Sequence, residues 1–364
     1  MGNGQYGTRK FRLTALTPIH MGTGERLSAE EYIYDEPRQM LVRLSLTEFI
    51  RMVRKEYRDA FEAHLDNGRI EKAQAMLVAV FRGVQPEFRK RLVRHETRVG
   101  TASAAEFREL HSRQRSGEIF TMLRNPYSNR VTIPGSGLKG AIRTAVVSQL
   151  NGGRANAIQR DRLDEGTILG YTSRTLEDDP FRLMRVSDAE WPLDGISIDR
   201  AILRKLGRDD GMASIQIHEE RLLGRTDGFE GSAVVEIDLQ QPPERPLRER
   251  RSTGAPLSWS LLTDACNGFY QGRLNAEQGQ FPFLRENRAQ WEPGVLGPDR
   301  ILLRVGKHCH FDSMSIDGER MKPARGGAER HDIGSTRTVC RIAEGQEFPY
   351  GWALLESLAT GQLS

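Results

Sequence analysis

The chain has 364 residues, 38% of them hydrophobic and 28% charged, with a formal net charge of +4. That length supplies about two domains with full hydrophobic cores, and the composition excludes a disordered, collagen-like or disulfide-stapled chain. No apolar run approaches the ~18 residues that span a bilayer, so no membrane partner is expected.

The first residues, MGNGQYGTRK, carry no apolar signal region. They open like an acylation site, but Tyr6 stands where Ser or Thr is needed. Alternation at Phe11, Leu13 and Ala15 predicts a strand ending at Thr17 and Pro18. The loop PIHMGTGE follows, with His20, Gly22 and Gly24. EYIYDEPRQMLVRL predicts a hairpin turning at Asp35, Glu36 and Pro37. A helical zone over 47–80 has Leu46, Phe49, Ile50, Val53, Tyr57 and Phe61 on one face and Arg51, Arg54, Lys55 and Arg58 on the other. RKRLVRHETR, residues 89–98, is dense enough in positive charge to meet RNA, although plain solvation explains it as well.

TMLRNPYSNRVTIP predicts a second hairpin, turning at 125–128, and it runs directly into IPGSGLKGAIRT, residues 133–144. Further strands are expected in FRLMRVSDAEW, SAVVEIDLQ, RILLRVG, STRTVCRIA and the closing PYGWALLES, with a helix in WSLLTDACNGFYQGRL. RANAIQRDRLDEG reads as polar surface, and PPERPLRERRSTG and residues 308–334 read as loops. Strands and helices alternate in an order unlike a parallel βαβ repeat. The expected class is therefore α+β, two sheets each carrying helices on one face, with a boundary near Trp191. The first unit's order of strand, hairpin, helix, hairpin, helix, strand suits a ferredoxin-like domain.

The glycines of 133–144 raise the possibility of a nucleotide-binding P-loop, and spacing excludes it. That motif needs Ser or Thr directly after its lysine, whereas Lys139 is followed by Gly140. The helix itself is well marked, with Leu138, Ala141, Ile142, Ala145, Val146 and Leu150 on one face. Gly135 and Gly137 turn the chain into it, and Ser136 is the expected cap. Lys139 and Arg143, four apart, are expected on one exposed edge near the helix start. Free backbone N–H groups there favour an anion, which suggests a phosphate site. A glycine-tight turn with solvated cations fits this segment equally.

Only 8 of the 53 basic residues are lysines, leaving 45 arginines. Arginine suits bidentate phosphate contact and base stacking, but genomic base composition enriches it too. Cys266, Cys309 and Cys340 are widely spaced, which fits a reducing cytoplasm and no disulfide framework. His308-Cys309-His310 matches no standard zinc spacing, so no metal or other cofactor is expected.

FRLTALTPIHMGTGE followed by YIYD, then IPGSGLKGAIRT, then a late TRT strand and PYGWALL, resembles the RAMP proteins of type III-A CRISPR (Csm) effector complexes, subunit five in particular. The family often has two serines where this chain has Ser136-Gly137, and its late glycine-rich loop is reduced here to Gly351 and Gly326-Gly327. The resemblance implies two ferredoxin-like (RRM-like) domains with helical and loop insertions. Their expected bounds are 1–190, with a helical insertion around 46–115, and 191–364. It implies a non-catalytic subunit that binds CRISPR RNA near its 3′ end and caps the row of repeated backbone RAMP subunits. A role in CRISPR RNA maturation through recruited host nucleases also follows from it.

Such a subunit must hold any guide, so it must grip the sugar–phosphate chain and not base edges. His20, Gly22, Gly24, Gly135, Ser136, Gly137, Lys139 and Arg143 are the expected RNA contacts. Two alternatives stay open. An endoribonuclease acting on precursor CRISPR RNA would use His20 as acid or base, with Asp35 as a second candidate. A protein-only assembly subunit would touch no RNA.

Overall fold

The computed structural model describes residues 6–112, 118–152, 158–159, 162–163, 165–205, 212–242, 256–317 and 334–359. The expected strand Phe11 to Ala15 extends over Gly7–Ala15 and lies at the centre of a five-stranded antiparallel sheet. Its order is Met184–Val186, Ala233–Leu239, Gly7–Ala15, Trp352–Ser357, Arg300–Arg304. The opening strand and the PYGWALL strand are thus neighbours, Leu13 opposite Leu355. Phe11, Leu13, Val235, Ile237 and Leu239 are buried while Arg12, Val234 and Glu236 are exposed, so one face of this sheet makes the core.

Two helices, Gly135–Asn151 and Trp259–Gln280, pack on that face and on each other. Gly152, in the left-handed conformation, ends the first. Ser258 caps the second through Leu261 N–H. The Tyr270 hydroxyl donates to Ala141 O at 3.0 Å and ties the pair together.

The second sheet is mixed. Its main path runs Gly22–Leu27, Ile119–Met122, Met212–Leu222, Ile196–Lys205, Val93–Val99, Met40–Leu44, Tyr32–Asp35. Thr336–Ala343 also pairs with Ile196–Lys205 and carries Gln346–Pro349. Both expected hairpins form, Ile33 facing Val42 in the first and Asn125 N–H reaching Arg130 O in the second. The helical zone is three helices, Leu46–Met52, Lys55–Asp66 and Ile70–Gly83, broken at Val53 and at Gly68, whose φ is +65°. Phe49, Phe61 and Leu77 form a separate small core there with Ile33, Val42 and Leu44.

The α+β class holds, but the expected boundary near Trp191 does not follow the sheets. Each sheet takes strands from both sides of that residue. Trp191 is fully buried, with Nε1 donating to Gly195 O at 2.9 Å, which is a core position and not a linker. Residues 89–98 divide between the helix Pro86–Leu92 and the strand Val93–Val99. Arg89 caps Phe81 O and Arg91 pairs with Glu48, so part of that charge serves the fold. The arginine-rich stretch 243–255 and Gly326-Gly327 lie outside the described residues.

Candidate nucleic-acid interface

The PIHMG loop crosses between the two sheets and is pinned at every residue from Pro18 to Met21. Pro18 O accepts from Gly351 N, Ile19 O from Leu222 N, His20 O from Lys307 N, and Met21 O is bonded by Leu123 N. Gly306 lies against it with φ +99°, and a Cβ there would stand 2.6 Å from His20 O, so only glycine fits. His20 itself is 2% exposed, and its Nδ1 meets Glu220 O at 2.6 Å. A carbonyl only accepts, so Nδ1 carries the proton and Nε2 the lone pair. Burial lowers the His20 pKa, outweighing Glu219 and the Glu220 carbonyl, which favour the charged form.

A cavity of about 710 Å³ opens beside this loop. Residues 20–24 form one wall, the helix start at Ser136, Gly137 and Gly140 a second, and Val305 to Lys307 a third, with Phe120 between. Residues of both glycine segments thus line one cavity. The groove also contains two residues that sequence reasoning missed. Lys307 Nζ stands 3.7 Å from the Phe120 ring centroid, with the Arg26 guanidinium 4.9 Å from the same ring. Lys307 stays 37% exposed and is 3.5 Å from Glu219 Oε2. Glu219 is buried, which opposes its charge, but the hydrogen bond and charge of His308, with the Lys307 ammonium nearby, hold its pKa at about 2. The only advance signal for Lys307 was a glycine–lysine pair closing an apolar strand.

The helix start differs from expectation. Gly135 N–H donates to Asp188 Oδ1 at 2.7 Å, and Gly137 N–H to Pro134 O at 3.0 Å. Gly135 is glycine because a Cβ would collide with Val186 O and Ser187 O of the neighbouring strand and its exit. Ser136 makes no cap; the helix begins at Gly135 after Pro134, and Ser136 is exposed on the groove side. The expected cradle of free N–H groups is thus used internally at Gly135 and Gly137.

Lys139 and Arg143 do not form an exposed cationic edge either. Lys139 Nζ donates to Met184 O at 2.8 Å; burial lowers its pKa. Arg143 Nε meets Glu165 at 2.7 Å, Nη1 meets both Asp179 oxygens at 2.9 and 3.1 Å, and Nη2 meets Tyr171 Oη at 2.9 Å. Its guanidinium lies 4.9 Å from the Phe181 ring centroid. Burial works against the Arg143 charge, but Glu165 and Asp179 more than compensate, and its pKa is raised. Both side chains tie the helix to the elements beside it, and neither lines the groove.

Asp35 ends the Tyr32–Asp35 strand, its Oδ2 3.5 Å from Arg38, and does not line the groove with His20. His308, Cys309 and His310 have separate surroundings. His308 Nε2 meets Glu219 at 2.9 Å, Cys309 is buried with its thiol pushed up to about 12, and His310 Nε2 accepts from Thr338 N at 3.0 Å. Among the described residues no group of three or more His, Cys, Asp or Glu side chains is placed to hold a metal.

A groove between two sheets, walled by an N-terminal PxHxGxG loop and a glycine-rich helix start, defines a class. The profile of the RAMP superfamily matches residues 12–270, and the chain belongs to that superfamily. Within it the chain is similar to the "CRISPR system Cms protein Csm5" of Streptococcus thermophilus, 28% identical over 196 residues. That match covers 51% of this chain and 52% of the relative, so the chain spans about half the length of the curated relative it matches. Its fold is similar to a chain in the cryo-EM structure of a Csm–crRNA–target RNA ternary complex of a type III-A CRISPR-Cas system. The TM-score is 0.61 at 18% identity, covering 96% of this chain and 100% of that one. It is also similar to the crystal structure of T. onnurineus Csm5, with TM-score 0.59, 18% identity, and 95% and 99% covered. No helix among the described residues is long and apolar enough to cross a membrane.

Proposed function

We propose that this chain is the subunit-five-like RAMP component of a type III-A Csm complex, and that its groove holds the sugar–phosphate chain of the CRISPR RNA near the 3′ end. In this reading it caps the repeated backbone RAMP subunit and helps assembly and CRISPR RNA maturation, with host nucleases trimming the end it holds. The observation that carries the reading is the groove itself. It joins both glycine segments characteristic of the resemblance to an exposed lysine and an aromatic ring flanked by cations. Glycines at 22, 24 and 137 allow close approach of a backbone of any sequence, Lys307 supplies the phosphate contact, and Phe120 offers a stacking surface. Two ferredoxin-like units remain part of the proposal; the first sheet with both helices on one face suits one of them.

The endoribonuclease alternative has one observation in its favour, the neutral His20 ring at the groove wall. The test is incubation of the purified chain with labelled CRISPR RNA, with and without magnesium. Salt-sensitive binding without cleavage, weakened in Lys307→Ala, supports the holder. Cleavage that vanishes in His20→Ala overturns it. Absence of any RNA binding returns the protein-only assembly role.

A further inference from the structure

Phosphate and base-plane contacts leave one groove group unused. His20 Nδ1 is committed to Glu220 O, so Nε2 is a lone-pair acceptor; among the described residues it has no hydrogen-bond partner, and His20 is one of the residues that line the cavity. Gly22 explains how that acceptor stays open. Its φ lies outside the left-handed region, so the backbone does not require glycine there. What requires it is space: a Cβ at position 22 would stand 2.5 Å from His20 Nε2 and 2.8 Å from Thr121 O. A side chain at position 22 would press directly on the nitrogen and on the Thr121 carbonyl.

An open neutral acceptor on the wall of this cavity takes its donor from whatever fills the groove, water when it is empty and the bound strand when it is loaded. Phosphate oxygens cannot serve, because a phosphodiester carries no hydrogen. Base N–H groups vary along a guide, and a subunit that holds any sequence cannot depend on them. The ribose 2′-hydroxyl is the one donor repeated at each nucleotide, and it is the group that distinguishes RNA from DNA. We infer that His20 is the specificity residue of the groove, its Nε2 accepting a hydrogen bond from a ribose 2′-hydroxyl of the bound strand. The inference rests on the proposal that the groove binds RNA. Lys307 is placed to fix the neighbouring phosphate, since its backbone N–H is bonded to His20 O and its ammonium reaches the Phe120 ring.

The test compares full-length wild-type protein, His20→Ala and Gly22→Ala. Each is measured against fluorescent single strands of one sequence as RNA, 2′-deoxy and 2′-O-methyl forms, with thermal melts confirming folding. Wild type is expected to bind RNA about tenfold more tightly than the 2′-deoxy and 2′-O-methyl strands, the worth of one hydrogen bond in a desolvated site. His20→Ala is expected to reduce that ratio to about one by losing RNA affinity alone, leaving 2′-deoxy binding within about twofold. Gly22→Ala, whose Cβ would press on Nε2 and on Thr121 O, should lower the same ratio. Equal wild-type affinity for RNA and DNA, or an undiminished preference in His20→Ala, overturns the inference while leaving RNA holding intact. RNA cleavage lost in His20→Ala also overturns it, because Nε2 would then remove the proton. Failure to bind either strand overturns the RNA-holding proposal itself.

Discussion

Glu277→Gln tests how the arginine content of this chain is used. Glu277 is fully buried on the helix Trp259–Gln280. Its Oε1 accepts from Arg304 Nη2 at 2.7 Å and Arg337 Nε at 2.8 Å, and its Oε2 from Trp352 Nε1 at 3.2 Å. Arg337 has a second carboxylate, Asp312, at 2.7 Å, so two buried guanidiniums are balanced by two buried carboxylates. Replacing one carboxylate with an isosteric amide leaves a buried positive charge uncompensated, at a cost of about 3–5 kcal/mol. Melting entropy scales at about 2.1 cal/mol/K per residue. Across 364 residues that is ~0.76 kcal/mol/K. The expected fall in melting temperature is therefore about 4–7 °C, read by calorimetry. The exposed pair Arg26–Glu118 is the control: Glu118→Gln should move the melt by less than about 1 °C. A Glu277→Gln melt within 1 °C of wild type would refute the claim that these arginines are committed to the interior.

Three further outcomes follow from the same geometry. Lys307→Ala should weaken RNA binding and reduce the slope of log affinity against log salt by about 0.7, measured by titration at several salt concentrations. Arg143→Ala should lower stability by about 1–3 kcal/mol while leaving that slope unchanged, because its partners are Glu165, Asp179 and Tyr171. Glu219, held at about 2 against an ordinary 4.5, contributes stability that is present above pH 4.5 and lost as pH falls toward 2. Glu219→Gln should therefore be less stable at neutral pH by on the order of 3 kcal/mol and melt with less acid dependence between pH 4.5 and 2.

What could be read in advance followed the periodicity of apolar residues. The opening strand, both hairpins, the helix after IPGSG and the Trp259–Gln280 helix were legible because each alternates or repeats locally. The two long strands at the heart of the second sheet, Ile196–Lys205 and Met212–Leu222, were not. The second contains His218, Glu219, Glu220 and Arg221 in succession, all buried, each with a partner far away in sequence. Such a run reads as surface until the partners are known. The same reason misled the reading of Lys139 and Arg143. Their acceptors lie 22 to 45 residues away, so a helix-local pattern showed two free cations where the fold has two internal ties. The meeting of PIHMG with the helix start was inferred from resemblance, and Lys307 and Phe120 entered the groove only through tertiary packing.

The central claim is that the groove between the PIHMG loop, the helix start and Lys307 carries the guide. Photocrosslinking of a guide bearing reactive nucleotides in its 3′ part, inside the assembled complex and mapped to residues by mass spectrometry, tests it most directly. Adducts are expected at residues 22–24, Phe120, Ser136 and Lys307, and none at Lys139 or Arg143. Adducts confined to other surfaces, or none on this chain, would contradict it.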